Sequence, residues 1–202
     1  MPTSLLVLGG ARSGKSSFAA AWIRALPGPR TYLATCRHEP DDPEMVARIA
    51  QHRAQRDSDN WVTVEEPLSI AHVIRMSSLG PVLIDCATLW LTNLGFAHDW
   101  NAEVILRRVD ELCELLVDPP VEVAVVSNEV GQGVVPETPL GRTFRDLHGF
   151  TNQRLAKACH RVELLVAGLP LTLKPSTHKS LIHGSSSHGL SSHGPSPLTP
   201  WP

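Results

Sequence analysis

The chain begins with two adjoining stretches, LLVL at residues 5–8 and GGARSGKS at residues 9–16. The second has the pattern G-x-x-x-x-G-K-S, which is typical of a phosphate-binding loop between a buried strand and a helix. Its glycines let successive backbone N–H groups face phosphate oxygens, and the N-terminus of the helix adds the positive end of a dipole. The pattern predicts that Lys15 contacts the β- and γ-phosphates of a nucleotide and that Ser16 ligates Mg²⁺.

The stretch VLID at residues 82–85 supports this interpretation. It has the Walker B form, in which a buried parallel strand delivers a carboxylate to the Mg²⁺ of a phosphate site. Many buried strands end in aspartate, so the motif carries weight only together with the loop at residues 9–16. The two motifs predict that Ser16 and Asp85 hold the Mg²⁺ of a bound nucleotide.

Strand and helix patterns alternate through the first 174 residues. Apolar or β-branched runs predict strands at residues 5–8, 31–35, 61–65, 82–85, 121–127 and 162–167. Helix patterns fall between them, at residues 16–26, 42–56, 67–76, 88–96, 101–116 and 140–160. The alternation predicts a P-loop NTPase domain of the RecA-like kind, a mostly parallel sheet with helices on both faces. Residues 171–174 predict an antiparallel strand at its C-terminal edge.

The composition changes after residue 174. Residues 175–202 repeat Ser, His, Gly and Pro and have too little apolar surface to fold, so we expect a disordered tail. Residues 1–174 then form the P-loop domain. Four histidines of the tail are spaced by five, but a dedicated metal site needs fixed geometry, and we do not expect one here.

The bulk composition excludes several classes of protein. A formal net charge of −2 gives no basic surface for nucleic acid, and no apolar run approaches the length of a membrane span. The four cysteines are far apart in sequence, which indicates reduced thiols in a cytoplasmic protein. No basic segment precedes the first apolar run, so that run predicts a strand and not a signal peptide.

The predicted helix at residues 42–56 carries a polar face. Residues four apart share this face, and further positive charge follows them: Glu44, Arg48 and His52, then Arg53 and Arg56. Taken alone, such a stripe is typical of a solvated helix surface.

Seven motifs in this order resemble one known family, the bifunctional adenosylcobinamide kinase / adenosylcobinamide-phosphate guanylyltransferase of cobalamin biosynthesis. They are GGARSGKS at residues 9–16, YLAT at 32–35, DDPEMVARIAQH at 41–52, WVTVE at 61–65, TLWLTNL at 88–94, SNEVGQGVVPE at 127–137 and FRDLHGFTNQRL at 144–155. Many P-loop proteins share the first motif, whereas few would share the others in this order.

The resemblance implies two reactions in one enzyme. The first phosphorylates the aminopropanol hydroxyl of adenosylcobinamide with ATP or GTP. The second transfers GMP from GTP to that phosphate through a histidine–GMP intermediate, which gives adenosylcobinamide-GDP and pyrophosphate. The resemblance also implies a trimer with active sites between subunits.

The family's functional residues fall on this sequence as follows. Lys15 and His52 are the catalytic residues that the resemblance implies. The nucleotide contacts fall on Gly9, Gly10, Ala11, Arg12, Ser13, Gly14, Lys15, Ser16, Thr35, Cys36, Arg37, Arg53, Ala54, Gln55, Arg56, Glu65 and Asp85.

The chemistry of the residues agrees with this assignment. A neutral imidazole is a competent nucleophile at phosphorus, and a covalent intermediate divides one difficult displacement into two easier ones. Arg48, Arg53 and Arg56 flank His52 and could stabilise charge on the transferred group. The two reactions attack different phosphorus atoms, so we infer that GTP binds in two poses or that the helix carrying His52 moves.

Two other functions fit part of the sequence. A monofunctional small-molecule kinase would keep the phosphate loop without guanylyl transfer, and a nucleotide-dependent switch ATPase would couple hydrolysis to a protein partner. No partner-binding repeat is apparent to favour the second. For the remaining histidines of the domain we expect ordinary surface or structural roles: His72, His98, His148 and His160.

Overall fold

The computed structural model describes residues 1–36, 60–76 and 80–176. Its strands are β1 (Ser4–Gly9), β2 (Arg30–Ala34), β3 (Trp61–Glu65), β4 (Val82–Asp85), β5 (Val123–Asn128), β6 (Arg161–Val166) and β7 (Leu169–Lys174). Its helices are α1 (Lys15–Arg24), α2 (Ile70–Met76), α3 (Ala87–Ala97), α4 (Ala102–Val117) and α5 (Pro139–Ala158). The helix predicted at residues 42–56, and the tail beyond residue 176, lie outside the described residues.

The strands form one sheet in the order β3-β2-β4-β5-β1-β6-β7. The described pairings are parallel, except that β7 runs antiparallel to β6. This confirms the predicted α/β fold with an antiparallel strand at the C-terminal edge. The order also places β5 between β1, which leads into the phosphate loop, and β4, which ends at Asp85.

Alternation along the strands divides the core between the two faces of the sheet. On β1, Leu6 and Leu8 pack in the cluster that includes α2, α3, α4 and α5. Leu5 and Val7 point to the opposite face and pack with α1. The described helices therefore cover both faces, as the sequence predicted.

Most predicted elements are confirmed to within a few residues, and the largest shift has a clear cause. Helix α2 begins at Ile70, whereas the prediction began at residue 67. The reason is Glu66, whose Oε1 accepts hydrogen bonds from the N–H groups of Leu68 and Ser69 at 2.8 and 2.7 Å. These bonds hold a separate turn ahead of the helix.

Two further expectations concern membrane spans and cysteines. In the described part of the chain, no helix combines the length and apolar character that a membrane crossing needs. All four cysteines are free, as predicted. Burial raises the pKa of the Cys86 thiol to about 11, which keeps this residue protonated next to Asp85.

Candidate functional site

The phosphate loop lies between β1 and α1, as its pattern predicted. Gly14 precedes the helix with φ of 90°, a left-handed conformation that glycine adopts without the penalty of a Cβ. Among the described residues, no side chain caps the first turn of α1, and that turn contains no acidic residue. Its N–H groups and dipole therefore favour an external anion such as phosphate.

Contacts from both sides hold the loop in shape. The Lys15 Nζ donates to the Gly10 carbonyl at 2.9 Å, which places the ammonium group over the loop. On the other side, the Gly168 N–H in the β6–β7 turn donates to the Ser13 carbonyl at 3.0 Å. The short turn that makes β7 antiparallel thus also supports the phosphate loop.

Two carboxylates predicted for the site lie level at the same edge of the sheet. Ala34 pairs with Glu65 of β3 on one side and with Asp85 of β4 on the other. Tyr32 donates its hydroxyl to Asp85 Oδ2 at 2.8 Å, which fixes that carboxylate at the end of β4. Glu65 is exposed, so its side chain is accessible from this edge.

Thr35 and Cys36 follow β2 at this edge. The Thr35 hydroxyl is buried, accepts from the Cys86 N–H at 2.8 Å and donates to the Cys86 carbonyl at 2.8 Å. Asn93 donates to the Thr35 carbonyl at 2.7 Å. Thr35 therefore fastens the end of β2 to the end of β4, and nucleotide contacts by Thr35 and Cys36 stay predictions.

The predicted Mg²⁺ ligands are one hydroxyl, from Ser16, and one carboxylate, from Asp85. Among the described residues, no group of three or more His, Cys, Asp or Glu side chains is placed to hold a metal ion. Hard oxygen donors of this kind suit Mg²⁺, which typically takes one or two protein ligands and completes its shell with phosphate oxygens and water. The donor set therefore fits a nucleotide-bound Mg²⁺.

A network of long-range hydrogen bonds holds the end of β5, and most of its partners are far apart in sequence. The Ser127 hydroxyl donates to Asn152 Oδ1 at 2.7 Å. The Asn152 amide donates to the Asn128 carbonyl at 2.9 Å and to Glu129 Oε1 at 2.8 Å. The Glu129 N–H donates to the Gly9 carbonyl at 3.1 Å. Helix α5 thereby fastens the segment after β5 to the first residue of the phosphate loop.

A buried histidine extends this network. The Asn128 N–H donates to Thr88 Oγ1 at 2.9 Å, and Thr88 Oγ1 lies 3.0 Å from His148 Nε2. Burial lowers the pKa of His148 to about 4, so the ring is neutral and its Nε2 can accept the Thr88 proton. His148 is therefore a structural histidine, as expected. His160 is one as well, because its Nδ1 lies 2.8 Å from the Ser4 hydroxyl.

The rest of the predicted site lies outside the described residues. These residues are Arg37, His52, Arg53, Ala54, Gln55 and Arg56. The sequence patterns did not single out Glu129 and Asn152, which join the segment after β5 to the phosphate loop, although both belong to motifs that carried the family resemblance. A glutamate directly after a buried strand that neighbours the phosphate loop is the signal that could have identified Glu129.

The fold and the loop define a P-loop NTPase-like α/β protein. The family model described as cobinamide kinase / cobinamide phosphate guanyltransferase matches residues 5–173. The chain belongs to this family, and it is a transferase with kinase and guanylyltransferase activities in cobalamin biosynthesis.

Individual relatives agree with this assignment. The bifunctional adenosylcobalamin biosynthesis protein CobP of Pseudomonas aeruginosa is 42% identical over 171 residues, which cover 84% of this chain and 96% of the relative. Bifunctional adenosylcobalamin biosynthesis proteins named CobU are 39% identical in Salmonella typhimurium and 37% identical in Escherichia coli. Each of these two matches covers 84% of this chain and 99% of the relative.

Proposed function

We propose that this protein phosphorylates the aminopropanol hydroxyl of adenosylcobinamide with ATP or GTP and then transfers GMP from GTP to the new phosphate. The observation that carries the proposal is the uncapped N-terminus of α1 behind the Lys15 ammonium group, within a chain matched by the family over residues 5–173. The products would be adenosylcobinamide-GDP and pyrophosphate. The free cysteines agree with a cytoplasmic site for both reactions.

In the kinase step, the phosphate loop would bind the triphosphate through its backbone N–H groups. Lys15 would leave the Gly10 carbonyl and move its charge to the β- and γ-phosphate oxygens, where negative charge redistributes during transfer. Ser16 and Asp85 would hold Mg²⁺, which would neutralise part of the phosphate charge when it is bound. Electrostatic stabilisation of this kind accounts for much of the catalysis of phosphoryl transfer.

In the guanylyl step, His52 would attack the α-phosphorus of GTP. A bond forms between the imidazole nitrogen and phosphorus, and the bond between the α-phosphorus and the bridging oxygen breaks to release pyrophosphate. The phosphate of the acceptor then attacks the same phosphorus and returns the imidazole to its free form. Because the two steps use different phosphorus atoms, GTP would bind in two poses or the segment carrying His52 would move.

Incubation with α-labelled GTP tests the covalent intermediate. We expect label on the protein that is labile in acid and stable in base, as for a phosphoramidate, and that is absent from His52→Ala. The exposed residue His72 provides a matched control, because His72→Ala should be labelled like the wild type. An unlabelled wild-type protein would contradict the guanylyl mechanism and leave a monofunctional kinase.

A further inference from the structure

A cleft of about 350 Å³ opens beside the phosphate loop. Its walls include Gly10 and Ser13 of the loop, Glu129 and Gln132 after β5, and residues 164–167 from the end of β6. The Ser13 hydroxyl oxygen is buried and has no hydrogen-bond partner in the described part of the chain. Because buried hydroxyl groups are nearly always paired, this atom is an unmet hydrogen-bonding group in the wall of the cleft.

Glu129 is the acidic side chain that lines this cleft. Its Oε1 accepts from the Asn152 amide at 2.8 Å, and Asn152 is only 6% exposed. The Ser127 hydroxyl in turn fixes the Asn152 oxygen at 2.7 Å. Among the described residues, Glu129 Oε2 has no hydrogen-bond partner. One oxygen of the carboxylate is therefore anchored, and the other is available to a ligand.

The strand order places β5, the strand that leads to Glu129, between the two parts of the predicted phosphate site. Strand β5 lies between β1, which leads into the phosphate loop, and β4, which ends at Asp85. Glu129 comes directly after β5, and its N–H donates to the Gly9 carbonyl at 3.1 Å. The backbone of Glu129 therefore contacts the first residue of the loop that would hold the triphosphate.

A carboxylate at this place can serve the kinase reaction as a general base. An alcohol is protonated at neutral pH, so its proton must leave as the oxygen attacks the γ-phosphorus. A carboxylate within roughly 2.6–3.2 Å of the hydroxyl can accept that proton, and such general-base catalysis typically contributes about 10²–10⁴-fold to the rate.

We propose that the cleft receives the hydroxyl-bearing end of the acceptor alcohol and that Glu129 is the general base of phosphoryl transfer. The hydroxyl proton passes to the Glu129 carboxylate, the acceptor oxygen forms a bond to the γ-phosphorus, and the bond from that phosphorus to the β-phosphate oxygen breaks. The nucleoside diphosphate leaves with the electron pair. Asn152 is a positioning residue that orients the carboxylate. This inference rests on the proposed kinase step.

The test compares the full-length wild type with Glu129→Gln, using adenosylcobinamide and γ-labelled ATP. We expect kcat for phosphorylation to fall by about 10²-fold or more, with KM for ATP within about twofold of the wild-type value. The acidic limb of the pH–rate profile should disappear in Glu129→Gln and persist in Glu129→Asp, which retains a carboxylate. Labelling by α-labelled GTP should be unchanged, because formation of that intermediate deprotonates no alcohol.

Glu137→Gln is the matched control, since Glu137 is an exposed glutamate of the same loop. It should phosphorylate adenosylcobinamide like the wild type. Two results would overturn the role of Glu129 and leave the kinase proposal standing. In the first, the wild type and Glu129→Gln phosphorylate adenosylcobinamide equally well. In the second, Glu129→Gln and Glu129→Asp lose the same activity and have identical pH profiles. A wild-type protein that does not phosphorylate adenosylcobinamide would overturn the kinase proposal, and the role of Glu129 with it.

Discussion

The phosphate loop after β1 and the segment after β5 lie at the same edge of the sheet, but they are built in different ways. The phosphate loop takes its shape mainly from local features, with Gly14 in a left-handed conformation and the Lys15 side chain bonded to Gly10, and backbone bonds from Glu129 and Gly168 support it. The segment after β5 takes its shape from distant side chains, Asn152 on α5 and Thr88 on α3.

Because the two regions are built differently, substitutions in them should affect activity and stability differently. The Lys15 side chain makes an exposed contact, so its removal should affect the reaction and leave the fold intact. Asn152 is buried and joins three residues, so its removal should affect both the reaction and the fold.

Lys15→Ala should abolish phosphorylation of adenosylcobinamide, with a loss of about 10³-fold, because it removes the charge that faces the β- and γ-phosphates. The melting temperature should remain within about 1 °C of the wild-type value, since the Lys15 bond to the Gly10 carbonyl is exposed to solvent. Transfer of label from γ-labelled ATP and a thermal melt measure the two effects. Lys157→Ala, at an exposed lysine on α5, should change neither. Normal kinase activity in Lys15→Ala would show that the role assigned to Lys15 is wrong.

Asn152→Ala should reduce both stability and kinase activity. It leaves the buried Ser127 hydroxyl without its acceptor and frees the Glu129 carboxylate, at a cost of about 1–3 kcal/mol in the free energy of unfolding. We expect kcat to fall by roughly 10-fold, because a base that is loosely held is less effective. Urea denaturation and the kinase assay measure these effects, with the exposed neighbour variant Gln153→Ala as control. A stability loss without any change in kcat would confine Asn152 to a purely structural role.

His148 should make stability depend on pH. Burial lowers its pKa to about 4 in the folded protein, below the ordinary value of 6.5 in the unfolded chain. The unfolded chain therefore binds more protons between these values, so the stabilisation is complete above pH 6.5 and is lost as the pH falls towards 4. Between pH 7.5 and pH 5 this amounts to about 2 kcal/mol. Urea denaturation should show that His148→Gln loses less stability over this range than the wild type. Equal losses would mean that other groups cause the dependence.

Thr138→Ala should have the smallest effect, because Thr138 caps α5 at the far end of the same loop. Its hydroxyl accepts from the Gly141 N–H at 3.1 Å in an exposed position. Loss of such a cap costs about 1 kcal/mol, and the kinase rate should be unchanged. Thermal melts and the kinase assay check both parts. A kinase defect like that of Asn152→Ala would show that the whole loop, and not its Glu129 end, supports catalysis.

The same contrast explains what could be predicted from the sequence. The phosphate loop consists of eight consecutive residues, and Asp85 follows directly on a run of apolar residues. Both could therefore be predicted from local sequence patterns. The strand order is not local, and neither are the contacts of Asn152 with Ser127 and of Thr88 with His148. They arise when helices far apart in sequence pack on one face of the sheet, which residue spacing does not encode.

The motif that supplied His52 was informative for a different reason. On periodicity alone, the polar face of residues 42–56 resembled any solvated helix surface. Only the order of motifs along the chain indicated a nucleophile there, and the family match over residues 5–173 agrees with that order. The position of His52 relative to the phosphate loop remains a prediction, because residue 52 lies outside the described part of the chain.

The central claim is that the phosphate loop serves the kinase reaction and that His52 serves the guanylyl reaction. The variant His52→Ala tests this claim most directly. The variant is incubated with adenosylcobinamide, ATP and GTP, and the corrinoid products are separated and quantified against the wild type. We expect His52→Ala to accumulate adenosylcobinamide phosphate and to form no adenosylcobinamide-GDP, whereas the wild type forms both. Formation of adenosylcobinamide-GDP by His52→Ala at the wild-type rate would contradict the claim.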